Sequence, residues 1–307
     1  MINLRNKLIA TFFILSAFFI IAACSEDDSG TDPNADEFVA DDQTFNGWEN
    51  WLAINFTMGP DPALGQAHGG NNEEATRTIF INDENASLQN GEYPQGTVIV
   101  KQTHDGNGDQ IGLTAMVKRG GDFNEAGAGW EWFMWDENGD LQRGADLMNG
   151  ACQGCHNQAA TTDYVFSSAE EFSVSEAIFD NYASWYVVAV NQGPDEALGA
   201  AHAGNDQDAT RTIYFMSPNL MPTGNGDYPW GAAIIKEVKD GDGKLIGLTA
   251  MVKRGGDFNP NADGWYWYRW VIDDNGQVDG IMAEGAVDGC NGCHAQAAGS
   301  DYVFTTN

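Results

Sequence analysis

The sequence predicts an α+β protein of two homologous domains. Each is expected to be a mainly antiparallel β-sheet with flanking short helices and a closing Cys-x-x-Cys-His segment. Three observations predict this. The chain repeats itself: "GPDPALGQAHGGNNEEATRTIF" from Gly59 returns as "GPDEALGAAHAGNDQDATRTIY" from Gly193, and "IGLTAMVKRGGDFN" from Ile111 returns intact from Ile246. Runs rich in β-branched and aromatic residues dominate each copy. Between them stand "DGNGD" at Asp105–Asp109 and "DENGD" at Asp136–Asp140, the turn chemistry of hairpins.

The chain opens with Arg5 and Lys7, then an uncharged apolar run from Leu8 to Ala23. This run is shorter than the roughly 20 residues a transmembrane helix needs. It ends Ile21-Ala22-Ala23-Cys24, small residues before a cysteine, which resembles a bacterial lipoprotein signal. Residues 1–23 are therefore expected to be a cleaved leader, with lipid attached at Cys24. An uncleaved anchor, or cleavage elsewhere, is the alternative. Ser25 to Asp42 holds eight acids and no basic residue, so 24–42 reads as a solvated tether. An acidic stretch directly behind the lipid cysteine also resembles the export signals of surface lipoproteins. The expected location is outside the cytoplasm, lipid-anchored to a bacterial outer membrane on its periplasmic or surface face.

Domain 1 is expected at 43–168, a linker at 169–175 and domain 2 at 176–307. Within domain 1, strands are expected at Thr76–Ile81, Thr97–Lys101, Ile111–Lys118 and Trp130–Trp135. Trp48–Ile54 and Glu176–Val188 have apolar spacing that suggests a helix ahead of each sheet. A short helix is expected to carry each Cys-x-x-Cys-His.

The chain has 45 acidic and 14 basic side chains, a formal charge of −31. Loss of Arg5 and Lys7 with the leader would take it to −33. A surface so acidic excludes nucleic acid and anionic lipid as partners and suits a cationic protein partner or a saline medium.

Of the five cysteines, four fall in two pairs, "CQGCHNQAATTDYVF" from Cys152 and "CNGCHAQAAGSDYVF" from Cys290. Cys-x-x-Cys-His is the attachment signature of c-type haem. Two thiols one helical turn apart, at Cys152/Cys155 and Cys290/Cys293, can bond one haem's vinyl groups, and the adjacent His156 or His294 can ligate its iron. Three alternatives compete. A four-cysteine zinc site would need the two pairs to converge, although they occupy equivalent places in separate domains. A thioredoxin-like redox pair lacks its βαβ pattern, and a disulfide between cysteines three apart is strained. Two covalently bound haems are the expected cofactors. "DGNGDQIG" imitates a calcium loop but has Gln110 and Met116 where Gly and Glu are required, and reads as a turn.

The whole unit resembles the cytochrome P-460 and cytochrome c′-beta family. The matching features, in chain order, are the leading aromatic segment, His-x-Gly at His68 and His202, and Arg-Thr-Ile-aromatic at Arg77 and Arg211. Then come Tyr-Pro-x-Gly running into a strand with Lys101 or Lys236, a Val-Lys ending at Lys118 and Lys253, the Gly-Trp strand, and Asp163 or Asp301 behind the cysteine motif. The resemblance implies a five-coordinate haem on a β-rich fold. It also implies either hydroxylamine oxidation, with a lysine cross-linked to the haem, or binding of nitric oxide or carbon monoxide without the cross-link. Lys101 and Lys236 match the cross-linking lysine by position, although a strand-end lysine reaching solvent has the same pattern. Asp146 and Glu284, equivalent at a local offset of 138, could shuttle protons or be exposed loop acids. Arg77 and Arg211 could neutralise haem propionates or sit in ordinary ion pairs. His68 and His202 could supply a second axial ligand, but a loop histidine holding a backbone group is the expectation. Met116 and Met251 read as core and His104 has no role. A small gas or nitrogen-oxide ligand and a partner cytochrome are the expected partners, and a pure electron carrier stays open.

Overall fold

The computed structural model of the protein describes residues 37–41, 43–83, 86, 88–120, 122–166 and 176–304. The expected leader, the lipid site at Cys24, the linker at 169–175 and most of the expected tether lie outside the described residues. Among the described residues, no helix is long and apolar enough to cross a membrane.

Each half forms one six-stranded antiparallel sheet in which neighbours in sequence are neighbours in space. The first contains β1 (Leu52–Met58), β2 (Thr76–Ile81), β3 (Val98–His104), β4 (Gln110–Lys118), β5 (Trp130–Trp135) and β6 (Leu141–Gly144). The second contains β7 (Tyr186–Gln192), β8 (Thr210–Phe215), β9 (Ala233–Lys239), β10 (Leu245–Lys253), β11 (Trp265–Ile272) and β12 (Val278–Gly285). Two short helices, α1 (Ala151–His156) and α2 (Asp288–His294), follow the sheets and contain the Cys-x-x-Cys-His sequences.

The hairpins close through their aspartates. Asp105 Oδ1 accepts from the N–H of Asn107 at 2.9 Å and of Asp109 at 3.0 Å, and Asp136 does the same for Asn138 and Asp140. Strand alternation then sorts the side chains. Val98, Val100, Ala115, Val117 and Phe133 pack on one face with Phe80, Trp48 and the incoming Phe38 and Ala40. Ile99, Met116, Trp130 and Trp132 pack on the other, with Cys152, Tyr164 and Val165. Both faces of the sheet are thus covered.

Two expectations are corrected. The helices expected at Trp48–Ile54 and Glu176–Val188 are single 3-10 turns, Trp48–Asn50, Glu176–Phe179 and Tyr182–Ser184, that lead into edge strands β1 and β7. A bulge between Ala53 and Asn55 buries two successive residues, Ala53 and Ile54, and so breaks the strand's two-residue period. The tether also ends earlier than expected. Phe38 donates its N–H to the Arg119 carbonyl at 2.9 Å, and Ala40 is buried in the first core.

The halves complete each other's cores. Trp230 of the second packs among Ile54, Tyr93, Trp130 and Trp132 of the first, and Phe56 of the first packs among Phe215, Tyr228 and Trp267 of the second. Backbone bonds join them: Trp230 N–H donates to the Ala53 carbonyl and Gly224 N–H to the Glu49 carbonyl, each at 2.9 Å. Trp230 has Gln95 as its counterpart in the first repeat, so this contact is not duplicated. Removing a buried tryptophan costs about 3–5 kcal/mol. Trp230→Ala is expected to cost the protein that much, read as a fall in the denaturant midpoint. A midpoint unchanged from the parent would show that the halves are independent.

Candidate functional site

The site is built outward from the cysteine helices. α1 begins after Gly150, whose φ of 77° lets the chain reverse into the helix. His156 ends α1, and its Nδ1–H donates to the Tyr164 carbonyl at 2.7 Å; His294 does the same with Tyr302 at 2.7 Å. With Nδ1 so engaged, Nε2 is the basic nitrogen left to bind a metal. The His156 ring lies 4.7 Å from Trp132 and 5.2 Å from Phe166, and the His294 ring 4.6 Å from Trp267 and 5.2 Å from Phe304. Each imidazole is fixed by one hydrogen bond and two rings.

The accepting carbonyl is itself placed by an unusual turn. Asp163 and Tyr164 both have left-handed φ, 52° and 67°, as do Asp301 and Tyr302, at 49° and 62°. A buried ion pair holds this turn. Lys118 Nζ donates to both carboxylate oxygens of Asp163 at 2.8 Å, and Tyr93 N–H adds a third bond at 2.7 Å. Trp130 Nε1–H donates to the Asp163 carbonyl at 2.7 Å. Lys253, Asp301, Tyr228 and Trp265 repeat the arrangement, and there Lys253 also meets Asp263. Sequence reasoning saw these lysines and aspartates as motif letters and assigned them no work.

Cys152, Cys155, Cys290 and Cys293 are free thiols at the edge of the site. Burial pushes the Cys152 and Cys290 thiols up, so neither is an activated thiolate of the redox type.

Lys101 on β3 and Lys236 on β9 share the sheet face of Trp132 and Trp267. Burial, then the neighbouring Arg77, pushes the Lys101 amine down to about 8. Burial and Arg211 likewise lower that of Lys236. His68 sits at φ 51° with Nδ1 3.4 Å from the Thr114 hydroxyl. Burial, then Lys101 and His156, pushes its imidazole down to about 3, and His202 behaves alike beside Lys236 and His294. Both are neutral at physiological pH. In the second half, a cavity of about 600 Å³ brings His202, Lys236, Arg269, Cys290, Cys293 and His294 to one space.

Arg77 is buried and donates to the carbonyls of His68, Gly59 and Gly69, at 2.8, 2.9 and 2.9 Å. Arg211 clamps the carbonyls of Ala203 and Gly193 in the same way. These arginines staple the loop that carries the histidine. Among the described residues neither arginine forms an ion pair, and each guanidinium donates to backbone oxygens. The loop-holding role expected of His68 and His202 thus belongs to the arginines, and the histidines face the site.

Asp146 and Glu284 are exposed and are not structural equivalents. Glu284 stands opposite Tyr268 in the sheet, where the first half has Arg143 opposite Phe133. Eight positions separate Gly144 from Cys152 but only five separate Gly285 from Cys290, and that deletion created the apparent match. Glu284 does not line the cavity. Met116 and Met251 are buried on the site face as expected, and Met282 lines the cavity rim. Arg269 was visible only as the one charged residue of "GWYWYRW" without a like residue in "GWEWFMW", where Met134 occupies its place.

The profile of the cytochrome P460 family matches residues 45–167 and again residues 180–305. A comparison with curated proteins finds no match.

Leaving Asp163 buried without its lysine should cost about 3–5 kcal/mol. Lys118→Ala is therefore expected to destabilise the first half by that amount in denaturant titration, with a smaller loss in the Lys118→Met, Asp163→Leu double variant. Equal losses in both would refute the buried-charge account.

Proposed function

The chain belongs to the cytochrome P460 family, and on that premise we propose that it is a diheme c-type cytochrome that handles small nitrogen species or diatomic gases. One haem would be joined through Cys152 and Cys155 with His156 as iron ligand, the other through Cys290 and Cys293 with His294. Membership establishes a haem-binding cytochrome; the count, the covalent attachment and the gas chemistry are our reading. The observation that carries it is the histidine: Nδ1 committed to a backbone carbonyl, the ring held by aromatics, two free thiols beside it and a cavity of haem-like size, about 600 Å³, alongside. The donor set fits the group, since an imidazole with one nitrogen left over can ligate iron and two free thiols can add to vinyl groups.

When bound, haem would supply a redox-active iron with one position for a small ligand. The chain's own residues do the rest. The carbonyls of Tyr164 and Tyr302 hold the imidazoles in one tautomer and raise their basicity. Trp132, Trp267 and the sheet face exclude water. Neutral His68 and His202 add a polar group without adding charge.

Hydroxylamine oxidation is the second reading, favoured by the lowered amines of Lys101 and Lys236, because only a neutral amine is nucleophilic. Asp146 and Glu284 are exposed, and Glu284 is not among the residues lining the second-half cavity, so their placement adds no support to it. We further propose export with lipid at Cys24, anchoring to the outer membrane, and electron exchange with a cationic partner cytochrome suited to the −31 charge.

The test is an optical spectrum of the reduced protein with and without carbon monoxide. Two five-coordinate haems per chain that both shift with carbon monoxide are expected; low-spin haem indifferent to it would overturn the reading in favour of electron transfer. The cross-link has its own signature. If it forms, tryptic haem peptides are joined through Lys101 or Lys236, and Lys101→Arg removes its share of the red-shifted Soret band. Its yield at Lys101 rises as pH is raised through about 8 and falls below that.

A further inference from the structure

We infer that the two haem sites are not equivalent: the second-half cavity takes small anions, selected by Arg269, whereas the first-half site favours neutral ligands because Met134 replaces that arginine. This rests on the haem reading above.

The two halves serve as controls for each other. Trp265, Trp267 and Arg269 alternate onto the site face of β11, as Trp130, Trp132 and Met134 do on β5. Arg269 pairs across the sheet with Thr249, the residue whose hydroxyl lies 3.3 Å from His202 Nδ1. Met134 pairs with Thr114, which stands in the same relation to His68. The positions are therefore the same and the side chains differ. Arg269 lines the cavity, and its charge is felt at both His202 and Cys290. At the first site, His68 feels Lys101, His156 and Arg77, and no cation comes from β5.

Solvent reaches Arg269, but the protein leaves its charge unpaired. Among the described residues no carboxylate pairs with Arg269. No aspartate or glutamate lines the cavity, in a protein with 45 of them. Lys236 and Arg269 make a cationic lining in an otherwise acidic molecule. A guanidinium offers a planar fork of donors that matches two-oxygen or linear polyatomic anions, such as nitrite or azide.

Azide titration of the ferric holoprotein tests this, after a haemochrome count has established two haems; absence of haem would defeat the underlying reading and not this one. Two transitions are expected, separated by about tenfold or more, the size of one partly screened charge interaction. Arg269→Met should weaken the tighter transition toward the other, Arg269→Lys should keep most of it, and Met134→Arg should tighten the weaker one. Carbon monoxide binding to the ferrous protein, a neutral control, should change little. Equal azide affinities at the two sites in the parent, as would follow if a haem propionate consumed the Arg269 charge, would overturn the inference. So would an Arg269→Met effect of the same size on carbon monoxide.

Discussion

A lysine and an aspartate buried together behind the cysteine helix organise each half. Lys118 and Asp163 are 4% and 0% exposed at the side chain, and Lys253 and Asp301 3% and 0%. Neither charge could be buried alone. The carboxylate also accepts the backbone N–H of Tyr93 or Tyr228, so it joins the central sheet, the Tyr-Pro loop and the segment after the cysteines. That segment bends through two left-handed residues, a conformation that costs energy unless its surroundings impose it. The bend delivers the tyrosine carbonyl to Nδ1 of the histidine. The histidine's tautomer is thus set by an ion pair two steps away.

The opposite wall follows the same logic with different parts. A second cation, Arg77 or Arg211, is buried against backbone carbonyls and fixes the loop of His68 or His202 over the sheet. Lysine, histidine and the cysteine helix then face one another across a space whose floor is tryptophan. Duplication preserved this frame and let the trim vary. Trp230 and Phe56 became interlocking contacts between the halves, and Arg269 gave one cavity a charge that the other lacks.

Much of this could be read from residues alone, for identifiable reasons. Strands β2 to β5 announce themselves through β-branched runs between Asp-Gly turns, and the cysteine motifs lie on the short helices expected of them. Strand β1 hid behind a bulge that buries neighbours in pairs and imitates helical spacing. Lys118 and Asp163 lie 45 residues apart, so their partnership needs the fold to be seen. The pairing of Asp146 with Glu284 failed because a loop deletion shifted the register between Gly144/Gly285 and the cysteines. The bonds of Arg77 to the carbonyls of His68, Gly59 and Gly69 also need the fold, because a tight loop brings those oxygens together.

The central claim is that each half presents a fixed imidazole and two thiols to its own covalently held haem. Intact mass of the holoprotein under denaturing conditions tests it most directly. The account predicts a polypeptide carrying two haems, and one haem in the Cys290→Ala, Cys293→Ala double variant. A polypeptide mass without haem, from protein that was coloured before denaturation, would contradict it.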